Sequence, residues 1–191
     1  AALPALNIDP IPIAAEIILE LKKINPGTKN IPMVLAFGKV TADGATNVIP
    51  SEVKLEGTFR TMDEKWRVKA HRLITDKAHT IAQSQGASCE VLIKKGYPCL
   101  INDKKLTEKA RLFAEDYLGA ENVETLDLRM TSDDFACFSQ SMPGCYYRLG
   151  VRNEAKGITS GVHTPNFNID EKALETGMGL MAWIAVNELS G

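Results

Sequence analysis

The chain has 191 residues, 45% hydrophobic and 24% charged, which is the mix of a soluble globular protein with room for one large domain or two small ones. A net charge of −2 and a pI near 6.0 provide no basic field, which excludes nucleic acid and anionic membrane surfaces as partners. The longest apolar run, near the C-terminus, is too short to span a bilayer and is broken by glycines. No targeting segment is visible, but the chain opens at Ala1 without Met, so that observation carries little weight. Cys89, Cys99, Cys137 and Cys145 form no C-x-x-C pair and fit neither a zinc knuckle nor a disulfide framework. They read as reduced, mostly buried thiols of a cytoplasmic protein; a nucleophilic role for one of them would need a histidine nearby in space.

After an apolar lead-in over Ala1 to Leu6, Asp9-Pro10 has the form of a helix N-cap with proline at the first helical position. Ile13, Ile17, Leu21 and Ile24 then recur at helical spacing, and Asn25-Pro26-Gly27 ends the run. Ile31 to Val40 reads as a strand. Val53 to Arg60 alternates cleanly, with Val53, Leu55, Gly57 and Phe59 on one side, so the two predict a β-hairpin with a long connection. Thr61-x-x-Glu64 has capping-box spacing and opens a helix to about Gln85, with Trp66, Ala70, Leu73, Ile74, Ala78 and Ile81 inward. His71 and His79 on that helix are spaced wrongly for a shared metal and read as solvated or satisfied. Cys89, Val91 and Ile93 alternate as a further strand. The order α-β-β-α-β suits an antiparallel sheet with two helices on one face, a first strand lying upstream.

Pattern and composition change near Tyr97. Leu106 to Leu118 is an amphipathic helix closed by Gly119, and Val123 to Met130 is a predicted strand. Thr131-Ser132-Asp133-Asp134-Phe135 resembles a helix start, with Ser132 and Asp133 as caps. Cys145 to Val151 is another predicted strand. Helices alternating with strands argue for an α/β layer in this half.

Next comes Gly161-Val162-His163-Thr164-Pro165-Asn166-Phe167-Asn168-Ile169-Asp170-Glu171, a turn-rich loop holding a histidine. Pro165 disfavours helix before it, and Asn168-x-x-Glu171 has capping-box spacing. The run from Leu174 to Val186 predicts a buried helix. His163 is thus held near a rigid element, as a metal ligand or proton carrier must be. A lone loop histidine is nevertheless more often bonded to a nearby carbonyl, because a zinc site needs three or four ligands.

Several stretches, taken in order, carry a resemblance. They are Asn7-Ile8-Asp9-Pro10-Ile11, Asn47-Val48-Ile49-Pro50, Gly57-Thr58-Phe59-Arg60-Thr61, Ser132-Asp133-Asp134-Phe135, Met142-Pro143-Gly144, and His163-Thr164-Pro165 through Asp170-Glu171. The chain resembles the aminoacylase and glutamate-carboxypeptidase type of zinc metallopeptidase. Within it, the resemblance is to the N-acyl amino acid amidohydrolases, such as hippurate hydrolase and the plant auxin-conjugate hydrolases. It implies an α/β fold in which an α+β lid, an antiparallel sheet with two helices on one face, precedes the C-terminal part of an α/β metallopeptidase domain. Residues 1–97 match the lid, which serves dimerisation in that family, and residues 98–191 match the C-terminal segment of the catalytic domain.

The resemblance further implies that His163 is a metal ligand and that Asn47 and Arg60 contact the substrate's carboxylate end. The family's other ligands and its catalytic Glu lie upstream of the lid, and the lid histidine that helps hold the reacting carbonyl would fall just before Ala1. Asp133 stands where the subgroup has Glu. The implied cofactor is a divalent metal, zinc first, two ions per site in the intact enzyme, with manganese, cobalt or nickel as alternatives. The implied reaction is cleavage of the amide bond of N-acyl amino acids or small peptides by metal-bound hydroxide, with a homodimer formed through the lid. Arg60 suits a carboxylate because its guanidinium is a planar two-pronged donor. On the residues alone, Arg60 reads as a surface Arg facing an acid on a neighbouring strand, and Asn47 as a turn residue. This chain by itself is expected to be inactive. The alternative is a non-catalytic dimerisation or ligand-binding module.

Overall fold

In a computed structural model, residues 6–28 and 30–190 are described; the apolar lead-in over residues 1–5 and any strand upstream of it lie outside them. The elements are α1 (Pro10–Leu21), β1 (Met33–Ala42), β2 (Val53–Thr61), α2 (Glu64–Ser84), α3 (Lys104–Leu118), α4 (Phe135–Ser141) and α5 (Lys172–Ser190), with 3-10 turns at Ala120–Asn122 and Glu154–Lys156. They form two compact units. One comprises residues up to Cys99 together with Met130–Ser132; the other comprises Leu100–Arg129 and Asp133 onward.

In the first unit, local chemistry accounts for the elements. Asp9 accepts from the Ile11 N–H at 2.9 Å and Pro10 occupies the first helical position, so α1 starts where its sequence directs. β1 and β2 pair antiparallel from Met33↔Thr61 to Ala42↔Val53, with an irregularity between Phe37 and Lys39. Gly57 permits the close pairing, since a Cβ there would lie 2.6 Å from the Ala36 carbonyl oxygen. Both helices pack on one face of this hairpin. Ile13, Ile17, Leu21 and Ile24 meet Leu35, Trp66 and the alanines Ala70, Ala78 and Ala82, whose small side chains let the helices approach. Leu55, Phe59, Cys89 and Val91 pack against that cluster. Complete burial of an Ile or Leu side chain is worth about 1.5–3 kcal/mol, and these residues, 3–9% exposed, come close to it.

The α2 boundary differs from the Thr61 capping box. Thr61 is the last residue of β2, and its hydroxyl donates to the Pro32 carbonyl at 3.0 Å. Asp63 caps instead, accepting from the Trp66 N–H at 2.6 Å. Residues 87–93 keep the expected alternation, with Ala87, Cys89, Val91 and Ile93 partly buried between exposed neighbours. They are not a strand, because no backbone among the described residues forms a ladder with them. Arg67 and Glu64 fasten the end of this unit to α2: Arg67 donates to the Tyr97 carbonyl at 3.1 Å, and Glu64 accepts from the Cys99 N–H at 2.8 Å.

In the second unit, α3 packs on α5 through Ala110, Ala114 and Leu180, with the Tyr117 and Trp183 rings 6.2 Å apart. The strand expected at 145–151 is not formed. Both backbone groups of Tyr146 are taken by the side-chain amide of Asn102, at 2.9 Å each, in place of a neighbouring strand. The strand expected at 123–130 likewise has no ladder. The last helix forms, yet it is not buried: Leu180 is its one buried residue among those described, and Met178, Met181 and Val186 are 61–70% exposed. The four cysteines form no disulfide, as expected of reduced thiols, but their burial departs from expectation: none is fully buried, and Cys137 is exposed. No helix among the described residues is long and apolar enough to cross a membrane.

If Asp63 is the cap, Asp63→Ala should lower unfolding stability by about 1 kcal/mol in urea titrations, with Asp63→Ser retaining most of it. No loss in the alanine variant would return the capping role to Thr61.

Candidate functional site

The loop that carries His163 runs between the 3-10 turn at Glu154–Lys156 and α5. His163 sits at φ 64°, the one non-glycine residue with positive φ among those described. That left-handed conformation is uncommon for a residue with a Cβ, although His, Asn and Asp adopt it more readily than most. The loop builds its own turns around it. The Thr164 hydroxyl donates to the Gly161 carbonyl at 2.7 Å, and the Phe167 N–H donates to the Thr164 carbonyl at 3.1 Å. The imidazole itself is exposed and engages no group among the described residues, which leaves both ring nitrogens open to a ligand or substrate.

The feet of the loop are fixed by Asp170. Its carboxylate is buried and accepts from Asn153 Nδ2 at 2.5 Å, from Lys156 Nζ at 2.6 Å, and from the Lys172 N–H at 3.4 Å. Asn153 and Ile158 exchange backbone hydrogen bonds at 2.9 and 2.8 Å, and the Asp170 N–H donates to the Val151 carbonyl at 2.9 Å. The Lys156 ammonium, with the Asn153 amide, draws the Asp170 carboxyl down to about 2 from its usual 3.8. The expected Asn168 cap is not used; Asn168 bonds the adjacent Ile169 N–H, and α5 begins at Lys172. Asn153, Lys156 and Asp170 escaped the sequence reading, because pairs 14 and 17 residues apart follow neither a helical nor a strand period. The Asp170-Glu171 motif was the only signal.

Arg60, on β2 opposite Val34, is exposed and donates from Nη1 to the Met130 carbonyl at 2.9 Å. It pairs with no acid among the described residues, and its remaining guanidinium N–H groups can receive a carboxylate. Asn47 is exposed in the turn closed by Ala45 and Val48, whose backbones bond reciprocally at 3.0 Å. That connection leaves the ladder at the Ala42–Val53 end, whereas Arg60 pairs near the other end, so the hairpin ladder itself does not bring the two together. Asp133 accepts from the Phe135 N–H and from the Tyr146 hydroxyl at 2.9 Å each, and these bonds hold its carboxyl below the usual range. It therefore braces the first turn of α4, but the N-cap position is Asp134 and not Ser132 or Asp133 as expected. His71 stacks edge-on against Phe59 at 5.9 Å, and its partial burial lowers its pKa. Burial also raises the thiols of Cys89 and Cys99, which disfavours a thiolate nucleophile at either.

As one neutral imidazole, His163 suits a divalent metal such as zinc. The described residues contain no group of three or more His, Cys, Asp or Glu side chains that could hold an ion, so they do not form a complete metal site by themselves.

The chain belongs to the peptidase family M20/M25/M40, whose model matches residues 8–187. It is 30% identical to the IAA-amino acid hydrolase ILR1-like 4 of Arabidopsis thaliana, over 99% of this chain and 44% of the relative. It is 32% identical to the N-acetyldiaminopimelate deacetylase of Exiguobacterium sibiricum, over 95% of this chain and 48% of the relative. Its fold aligns with that of the Bacillus subtilis protein YXEP, described as a dinuclear metal-binding peptidase of the M20 family, with a TM-score of 0.72 and 27% identity; 96% of this chain and 47% of that one are covered. The chain spans about half the length of the curated relatives it matches.

The depressed carboxyl of Asp170 fixes a pH dependence. The carboxylate's contribution is fully present above 3.8 and is lost as pH falls toward about 2. Carboxyl NMR should show Asp170 titrating near the lower value. Amide exchange in residues 159–168 should quicken across the same window, and Asp170→Asn should abolish that step. A carboxyl titrating at an ordinary value would show that the Lys156 pair is not formed.

Proposed function

We propose that this chain forms the lid and the C-terminal catalytic segment of a metal-dependent amidohydrolase acting on the amide bond of N-acyl amino acids or small peptides. The observation that carries the reading is His163: an open imidazole, held at a left-handed backbone position on a loop with fixed feet, within a chain matched by the M20 family over 8–187. Relatives named for hydrolysing IAA-amino acids and for deacetylating N-acetyldiaminopimelate support the substrate class. YXEP, described as binding two metal ions, supports the cofactor.

In this reading His163 gives one neutral imidazole to a divalent ion, zinc or one of manganese, cobalt and nickel, and the remaining ligands come from outside this chain. The bound metal supplies Lewis-acid polarisation of the amide carbonyl and activation of water. Arg60 holds the substrate carboxylate through N–H groups not used by Met130, and Asn47 adds an amide donor. The first unit acts as the lid and as a dimerisation surface.

The roles separate experimentally in the polypeptide that carries the remaining ligands. His163→Ala should lower metal content and kcat together. Arg60→Ala should leave metal content normal and reduce kcat/KM for N-acyl amino acids about ten- to hundredfold, the equivalent of about 1.5–3 kcal/mol for a charge-assisted bond. An amide substrate without the carboxylate should lose much less. Equal losses on both substrates would remove Arg60 from substrate binding, and full metal in His163→Ala would remove the ligand. Light scattering of the present chain should give a dimer; a monomeric mass at high concentration would remove the dimerisation role.

A further inference from the structure

We propose that Asp170, together with Lys156 and Asn153, is a positioning device that sets where the His163 imidazole is presented, and so governs metal affinity without touching the metal or the substrate. This rests on the reading of His163 as a ligand. The ordinary alternative is that Asp170 merely caps α5. The distances decide against it. The capping bond to the Lys172 N–H is the longest the carboxylate accepts, at 3.4 Å, while its short bonds, at 2.6 and 2.5 Å, reach back 14 and 17 residues to Lys156 and Asn153. The carboxylate is therefore directed across the base of the loop, not along the helix it precedes.

Two backbone links reinforce the closure. The reciprocal Asn153–Ile158 bonds define where the chain leaves, and the Asp170 N–H bond to the Val151 carbonyl defines where it returns. Between these points, the turns at Gly161–Thr164 and Thr164–Phe167 shape the excursion that places His163. Asp170 makes no contact with His163, so its influence passes through the backbone. An exposed residue in a left-handed conformation keeps that conformation only where the surrounding chain imposes it. With the feet untied, the loop gains conformations in which the imidazole is elsewhere, and each must be given up on binding an ion.

The test uses Lys156→Met, whose side chain is half exposed and can be replaced with little threat to folding, and Asp170→Asn, with Lys156→Arg as the conservative rescue. Amide exchange in residues 159–168 is read in the present chain. Metal affinity, by chelator competition with zinc, and KM are read in the polypeptide with the remaining ligands. Lys156→Met and Asp170→Asn should quicken exchange in the loop at least about tenfold, weaken zinc about ten- to hundredfold, and leave KM unchanged. Lys156→Arg should restore both exchange and affinity. Unchanged loop exchange, or a loosened loop that still binds zinc normally, overturns the inference. His163→Ala separates the two ideas. If it weakens zinc and the clamp variants do not, the positioning role alone falls. If it leaves zinc binding intact, the ligand reading falls, and the positioning role with it.

Discussion

A carboxylate taken out of water must be met by donors, and Asp170 is met by three. Much of the second unit follows from that requirement. Lys156 and Asn153 must come to it, so the chain from Arg152 turns through a 3-10 turn, with Gly157 in the left-handed region, to deliver both. The return of the chain at Asp170 then fixes where α5 starts, at Lys172, three residues later than an Asn168 cap would have set it. The His163 loop is what remains between two points held by one buried charge.

The parts of this fold that were legible in the sequence are those decided within a few residues. Asp9-Pro10 and the spacing of Ile13, Ile17 and Leu21 define α1, because capping and amphipathic periodicity are local. The alternation in Val53–Arg60 gives β2 for the same reason. Residues 87–93 and 145–151 have strand patterns too, but a strand exists only with a partner. At Tyr146 the side chain of Asn102, far away in sequence, has taken the partner's place. Thr61 and Asp63 show the same limit on a smaller scale. Both can cap, and the choice is made by Pro32, whose carbonyl takes the Thr61 hydroxyl. The candidate site was legible in a different way. His163, Arg60 and Asn47 emerged from the order of motifs and not from any physical pattern, whereas the residues that shape the His163 loop lie in pairings no period reveals.

The first unit shows how far chain order and packing diverge. Met130–Ser132 belong with it, although the preceding helix α3 belongs to the other unit, and Arg60 reaches the Met130 carbonyl from β2. That bond orients the guanidinium while leaving donors unused. An arginine already ordered gives up less side-chain entropy on meeting a carboxylate than one free in solvent. The exposure of Met178, Met181 and Val186 on α5 has a different character: the run is as apolar as a core helix, and α3 covers only one side of it.

The left-handed backbone at His163 also narrows the routes by which this position can change its chemistry over evolution. Asn, Asp and Gly enter that region at low cost, while β-branched residues are strongly disfavoured. Of the three, Asp alone offers an anionic oxygen. On the reading that this position ligates a metal, a single substitution could exchange a nitrogen donor for a hard oxygen donor without remodelling the loop, a change that favours magnesium or manganese over zinc. On that reading the backbone angle works as a filter on which metals descendants of this chain can come to prefer.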